Sequence, residues 1–219
     1  MRQSREIYPA YARSERIADG TLHAIGLVLA VIGAVWLAVW GVSHASPGQT
    51  AALIVYGVAL VGTFAASAFY HMTPWEGLRP TLRRFDHAAI YLKIAGTYTP
   101  LVVMLGSGFA YALLAVIWTI ATLGMIRNLF FWRTPGKLGS VLYLIMGWMS
   151  VALIWQIWPL LPTATLALIV AGGLLYTFGV IFFTWESLKF SNPIWHGFVL
   201  AASVCFFAAI AISASAQMA

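Results

Sequence analysis

Long apolar runs separated by short polar connections dominate the chain. Seven runs can be counted, and each is close to the roughly 20 residues that cross a bilayer as an α-helix. A transmembrane β-barrel would need shorter, alternating segments, which the sequence lacks. The pattern therefore predicts an all-α integral membrane protein, a bundle of seven transmembrane helices. The runs are roughly His23–Val42, Ala51–Tyr70, Ala88–Gly106, Phe109–Ile126, Leu138–Trp158, Thr163–Trp185 and Ile194–Ile212.

The connections between the runs carry proline, glycine, serine and asparagine, which are typical of turns. No internal repeat interrupts this arrangement. We therefore expect one seven-helix transmembrane domain over residues 23–215, preceded by a cytoplasmic amino-terminal segment at residues 1–22. The first apolar run is not followed promptly by a small-residue cleavage site, so we expect it to stay in the membrane as a helix.

Composition supports lipid as the solvent of this chain. Of its residues 62% are hydrophobic and 8% are charged, whereas soluble domains average about 45–50% and about 25%. The net charge of +6 raises the alternative of nucleic-acid binding. We expect no nucleic acid and no soluble partner, because the basic residues lie in short loops between apolar runs. The lone Cys205 cannot form a disulfide within the chain.

The basic residues predict how the bundle is oriented. Eleven of the twelve lysines and arginines fall before run 1 or in the connections 2–3, 4–5 and 6–7, and the other connections have none. By the positive-inside rule these segments are cytoplasmic, so the amino terminus is inside and the carboxyl terminus outside. The eleven residues are Arg2, Arg5, Arg13, Arg16, Arg79, Arg83, Arg84, Arg127, Arg133, Lys137 and Lys189.

Charged residues inside membrane spans are costly and usually functional, and here the polar and ionisable residues gather at the cytoplasmic ends of the predicted helices. Ser67 and His71 are four residues apart and share a helix face, as do Asn192 and His196. Histidines on two helices with a carboxylate nearby can bind a catalytic zinc and activate a water. The other members of this group are Glu15, Asp19, His23, Asp86, His87 and Glu186, and only His44 lies at the opposite end.

Structural roles remain open for several of these residues. His44 and His87 are also typical of the interfacial zone, Asn192 before Pro193 is a good N-cap, and Asp86 can cap helix 3. Lys93, two helical turns beyond Asp86, can extend to the interface or pair with a carboxylate.

Four segments resemble the bacterial hemolysin III proteins, which belong with the progestin and adipoQ receptors. They are ERIADGTLH at 15–23, SAFYH at 67–71, DHAAIYLKIAGTYTP at 86–100 and IWHGFVL at 194–200. The third segment is the most specific. The resemblance implies a seven-helix bundle with a cytoplasmic amino terminus, in a bacterial inner membrane, and a zinc site on its cytoplasmic side.

Carried onto this chain, the family's metal residues are His71 and His196 as ligands, with Asp86 and Ser67 close to the metal. In the family the last transmembrane helix carries a second histidine, and its position in this chain is occupied by Asn192. This is a departure, because asparagine is a poor zinc ligand. The resemblance thus leaves the third ligand open among Asp86, His23 and Glu186.

Two functions follow as expectations. The first is a zinc-dependent hydrolase of a membrane lipid amide or ester, ceramidase-like, with Asp86 as general base and Ser67 binding the water or the oxyanion. The second is a non-enzymatic membrane protein, either a cytolytic pore former or a regulator of lipid homeostasis, in which the polar cluster is structural.

Overall fold

The apolar runs form helices in the computed structural model, which describes residues 11–131, 137–185 and 187–216. Within these residues all regular secondary structure is helical, which confirms the predicted all-α class. Glu186, one candidate third ligand, lies outside the described residues. The α-helices are α1 Arg13–His44, α2 Pro47–Met72, α3 Arg79–Leu105, α4 Gly108–Phe130, α5 Lys137–Trp148, α6 Ile154–Ile157, α7 Thr163–Thr184 and α8 Ser191–Ala216.

Local signals in the sequence explain where several helices begin and end. Before α2, Ser46 and Gln49 form a reciprocal capping box ahead of Pro47 at the first helical position. Helix α3 is capped at its carboxyl end by Gly106, whose φ of 65° is left-handed. The next residue, Ser107, accepts a hydrogen bond from the Ala110 amide and so caps α4.

Helix α1 starts ten residues before the apolar run that predicted it. Its first turns are polar, yet Glu15 and Asp19 are buried. Glu15 Oε2 accepts the Ala12 amide at 2.8 Å and Oε1 accepts the Phe190 amide at 2.7 Å. These bonds join the start of α1 to the start of α8, so the boundary expected at residue 23 does not coincide with a helix end.

The fifth apolar run is helical but interrupted. Between α5 and α6 the chain makes a 3-10 turn at Met149–Leu153, and such a turn leaves carbonyl oxygens without their α-helical donors. The Tyr98 hydroxyl of α3 lies within hydrogen-bond distance of the carbonyls of Met146, at 2.9 Å, and Gly147, at 2.7 Å. The Tyr98 hydroxyl of a neighbouring helix thus supplies a donor to carbonyls next to the interruption.

Six helices are long and apolar enough to cross a membrane within the described residues: α1, α2, α3 with its leading 3-10 turn, α4, α7 and α8. The interrupted segment contributes a shorter apolar stretch at Val141–Ile157. The count of seven spans and the orientation of the two termini stay predictions.

Neighbouring helices pack antiparallel and at close range. Along α2 and α3, Thr63 contacts the Ala89 carbonyl, and Gly96 packs on Ala59. A Cβ on Gly96 would lie 2.5 Å from the Ala59 Cβ, so only glycine permits this approach. By contrast, α1 and α8 run parallel, with Gly33 facing Phe207 and His23 facing His196. The starts of α1, α3 and α8 and the end of α2 therefore share one end of the bundle.

Lys93 is buried inside the bundle, with 7% of its surface exposed. Its ammonium donates to Ser203 Oγ at 2.5 Å and lies 4.9 Å from the Phe64 ring centroid and 5.2 Å from that of Tyr176. Among the described residues it pairs with no carboxylate. Lys93 therefore neither extends to the interface nor pairs with a carboxylate. Two aromatic rings and a hydroxyl surround its ammonium instead.

Candidate metal centre

Three histidines from three helices meet at the end of the bundle where α1 begins. They are His23 of α1, His71 of α2 and His196 of α8, and one ligand nitrogen from each lies within 4.8 Å of the others. The ring centroids of His23 and His196 are 4.3 Å apart, and those of His71 and His196 are 4.6 Å apart. The structure thus brings the predicted pair His71 and His196 together and adds His23 as a third imidazole.

Asp19 lies on the Nδ1 side of all three imidazoles. Its Oδ1 is 2.6 Å from His196 Nδ1 and 3.6 Å from His23 Nδ1, and its Oδ2 is 3.8 Å from His71 Nδ1. The His23 Nδ1 also lies 2.8 Å from the Asp19 carbonyl oxygen, which only accepts. His23 and His196 therefore donate from Nδ1, which leaves their Nε2 atoms unprotonated and able to bind a metal through the lone pair. A carboxylate behind a ligating histidine is a common outer-shell arrangement in metal sites.

Asn192 completes the outer side of the centre. Its Nδ2 donates to Asp19 Oδ2 at 2.9 Å and lies 3.3 Å from His71 Nδ1. Because this side chain is engaged with Asp19 and His71, it takes part in the centre, a different role from the N-cap that Asn192-Pro193 also favours. Two residues earlier, Phe190 has a φ of 62°, and its amide donates to Glu15. The start of α8 is thereby fixed against α1.

Ser67 and Asp86 lie on the Nε2 side of the histidines. Ser67 Oγ is 3.1 Å from His23 Nε2 and 3.5 Å from His196 Nε2. Asp86 Oδ2 is 3.9 Å from His71 Nε2 and 3.6 Å from His87 Nδ1. Asp86 therefore lies next to His71 but is not in the group of ligand atoms within 4.8 Å of one another. His87 lies on the outer side of Asp86, and its Nδ1 also contacts the Arg83 carbonyl.

The donor set fits a zinc ion. A tetrahedral zinc with Zn–N bonds of about 2.0–2.1 Å separates its ligand nitrogens by about 3.4 Å, so the imidazoles need to close by no more than roughly 1.4 Å. Three neutral imidazoles also leave a fourth position for a water, which is typical of catalytic zinc.

The sequence pattern puts Asp19 in the polar group at the cytoplasmic helix ends but indicates no role for it. It is four residues before His23, the same spacing that linked Ser67 to His71 and Asn192 to His196. That spacing was sufficient to put Asp19 on the histidine face of α1. Its contacts with α8 depend on packing between the first and last helices.

A small pocket adjoins this centre, with Arg16, Asp19, His71 and Asn192 among the residues that line it.

Comparison with known proteins gives a consistent family assignment. A family model described as haemolysin-III related matches residues 12–207. Hemolysin-3 of Bacillus cereus is 38% identical over 194 residues, which cover 88% of this chain and 89% of that protein. Hemolysin-3 homolog of Bacillus subtilis (strain 168) is 31% identical over 88% of this chain and 91% of that protein.

A more distant similarity extends to an animal protein. The human monocyte to macrophage differentiation factor is 30% identical over 165 residues, or 71% of this chain and 67% of that protein. Together these matches cover most of α1 to α8.

Proposed function

The chain belongs to the haemolysin III-related family, within the progestin and adipoQ receptor superfamily, and on that premise we propose that it is a zinc-dependent hydrolase of membrane lipids. It is a multi-pass membrane protein with a buried cluster of histidines and aspartate. The proposed reaction is cleavage of a lipid amide or ester at the inner leaflet. The observation that carries it is the meeting of three imidazoles beside Asp86 and Ser67.

His23, His71 and His196 would hold the metal, and Asp19 would orient them. When bound, zinc polarises the scissile carbonyl and activates a water molecule. Asp86 would take a proton from the attacking water; in support, its Oδ2 lies 3.9 Å from His71 Nε2. The same carboxyl group then returns the proton to the leaving amine or alkoxide.

Ser67 would stabilise the oxyanion. In this structure its hydroxyl has two imidazole nitrogens, His23 Nε2 and His196 Nε2, within reach. If these two histidines held a metal, the Ser67 hydroxyl would be free to donate its hydrogen to a water or to the developing negative charge. One such donor typically contributes about 10²–10³ in rate.

Asp86→Asn tests the catalytic role. The variant keeps the size of the side chain but removes the base, so lipid hydrolysis should fall by about 10²–10⁴-fold while most of the zinc is retained. Wild type and variant would be reconstituted in zinc-loaded liposomes containing ceramides or phospholipids, and fatty acid release and dye leakage measured together. The exposed Glu76→Gln is the matched control and should hydrolyse lipid like wild type.

A second candidate is non-enzymatic lysis or regulation of the membrane, which the names of the two Bacillus relatives favour. In that case the histidine cluster stabilises the bundle. Dye leakage that the Asp86→Asn variant retains, with no fatty acid release from any lipid by wild type, would refute the hydrolase and support this candidate.

A further inference from the structure

We propose that Glu15 is a positioning residue for the histidine centre: its carboxylate fixes the backbone from which α8 begins, and so places His196 against α1. The inference rests on the metal binding of the proposed function and adds a residue to it. Glu15 is buried, with 9% of its surface exposed, and it lies one helical turn before Asp19 on the same face of α1. Both acids contact the first turns of α8.

The two carboxylate oxygens of Glu15 bond to two different helices. Oε2 accepts the Ala12 amide at 2.8 Å, as a glutamate at the third helical position does when it reaches back to the N-cap of its own helix. Oε1 accepts the Phe190 amide, 175 residues away, at 2.7 Å. A glutamate that only capped α1 would need the first of these bonds alone. The second bond therefore indicates a role in placing α8.

Phe190 has a backbone conformation that needs support. Its φ of 62° is left-handed, and in the part of the chain that the structure describes no other residue except glycine has a positive φ. This region is unfavourable for a bulky side chain and persists only where the surroundings hold it. The Phe190 amide donates to Glu15, and its carbonyl accepts the Ile194 amide at 2.9 Å, a bond of the first turn of α8. One strained residue thus joins the start of α1 to the start of α8.

The direction in which α8 leaves Phe190 determines where its metal-centre residues lie, since His196 follows six residues later. Asp19 holds the orientation of the His196 ring, whereas Glu15 holds the backbone that carries the ring. Metal–ligand bonds tolerate deviations of only about 0.2 Å. Without Glu15, Phe190 can relax to a negative φ, which shifts the first turn of α8 and moves this imidazole relative to the other two.

The test is the zinc affinity of the purified full chain in detergent, measured by competition against a chelator of known affinity. Glu15→Ala should weaken zinc binding by about tenfold, the lower end of the loss on removing an outer-shell partner, because Asp19 still orients the ring. Glu15→Gln should lose less, since its single amide oxygen can still accept one of the two backbone amides.

Two further variants separate the contact with α8 from the cap of α1. Ala12→Pro removes the amide that Oε2 accepts, and the φ of −62° at this position suits proline. This control should bind zinc like wild type. Phe190→Gly removes the strain, because glycine adopts a positive φ at no steric cost. Combined with Glu15→Ala, it should recover most of the lost zinc affinity, which a general loss of stability would not allow.

Three results would each overturn the proposal. They are wild-type zinc affinity in both Glu15 variants, an equal loss in Ala12→Pro and Glu15→Ala, and no recovery when Phe190→Gly is added. Thermal unfolding of the zinc-free proteins shows that each variant is folded at the temperature of the assay. If Glu15→Ala does not fold, Glu15→Gln with and without Phe190→Gly gives the same comparison.

The outcome is separable from that of the hydrolase test, because zinc affinity is measured without any lipid substrate. Zinc-dependent lipid hydrolysis by wild type, with zinc affinity unchanged in the Glu15 variants, would reject the positioning role and leave the enzyme. Zinc binding that depends on Glu15 and is recovered by Phe190→Gly, with no hydrolysis of any lipid, would reject the enzyme and leave the positioning role.

Discussion

Asp19→Asn is the sharpest perturbation of the proposed metal centre, because it changes one atom of a residue that is not itself a ligand. In the wild type both carboxylate oxygens face donors, His196 Nδ1 at 2.6 Å and Asn192 Nδ2 at 2.9 Å. An asparagine offers one acceptor oxygen and one NH₂ group. Whichever way the amide turns, its NH₂ group faces either His196 Nδ1 or Asn192 Nδ2, each of which is a donor in the wild type.

The size of the effect follows from these two contacts. Loss of an outer-shell partner of a metal-ligating histidine typically lowers metal affinity by about 10–100-fold, which corresponds to about 1.4–2.7 kcal/mol. We expect the upper part of this range. If the NH₂ group faces His196, the imidazole must keep Nδ1 unprotonated and carry its hydrogen on Nε2, the atom that should bind the metal.

The assay is zinc competition against a chelator of known affinity, on purified protein in detergent. Glu76→Gln is the control, since it removes one negative charge from an exposed position at the same end of the bundle. Asp19→Asn should weaken zinc binding and Glu76→Gln should not. Wild-type zinc affinity in Asp19→Asn, with the protein folded, would show that the carboxylate does not orient the ligands and that the outer-shell interpretation is wrong.

Two other predictions concern the third ligand and the orientation of the bundle. His23→Ala should reduce zinc per chain as severely as His71→Ala, because each removes one of three imidazoles; elemental analysis with the exposed His44→Ala as control checks this, and full zinc content in His23→Ala would exclude it as a ligand. A reporter active only outside the cytoplasm should be active when fused after Ala219 and inactive after Arg2, since eleven basic residues lie on the predicted cytoplasmic side; the reverse pattern would invert the topology.

The helices were predictable because lipid imposes them. In a bilayer the backbone groups of such a segment must be hydrogen-bonded within it, so an apolar run of spanning length forms a helix. The extension of α1 back to Arg13 and the 3-10 turn after Trp148 were not predictable in the same way. Both depend on side chains far away in sequence: Glu15 bonds a backbone amide 175 residues later, and Tyr98 reaches carbonyls 48 and 49 residues later.

The same distinction applies to the candidate centre. Spacing of four residues placed Ser67 with His71, and Asn192 with His196, on common faces, and the resemblance singled out His71, His196, Ser67 and Asp86. It left His23 as one of three possible third ligands, because nothing local shows that α1 packs beside α8. Only the fold brings Asp19 within hydrogen-bond distance of both His196 and Asn192.

Lys93 has a consequence for how the bundle is assembled. Helices enter a bilayer in the order of their synthesis, so α3 is inserted before Tyr176 of α7 and Ser203 of α8 exist. Until then the ammonium has only Phe64 of the groups that surround it in the finished protein. A lysine at the centre of an inserting helix costs about 2.5–3.5 kcal/mol. The Lys93 ammonium of α3 therefore lacks its hydrogen-bond acceptor until α8 is inserted. A chain that stops before α8 keeps a buried cation without the Ser203 hydroxyl. Lys93 in this way makes completion of the bundle depend on the arrival of its carboxyl-terminal helix.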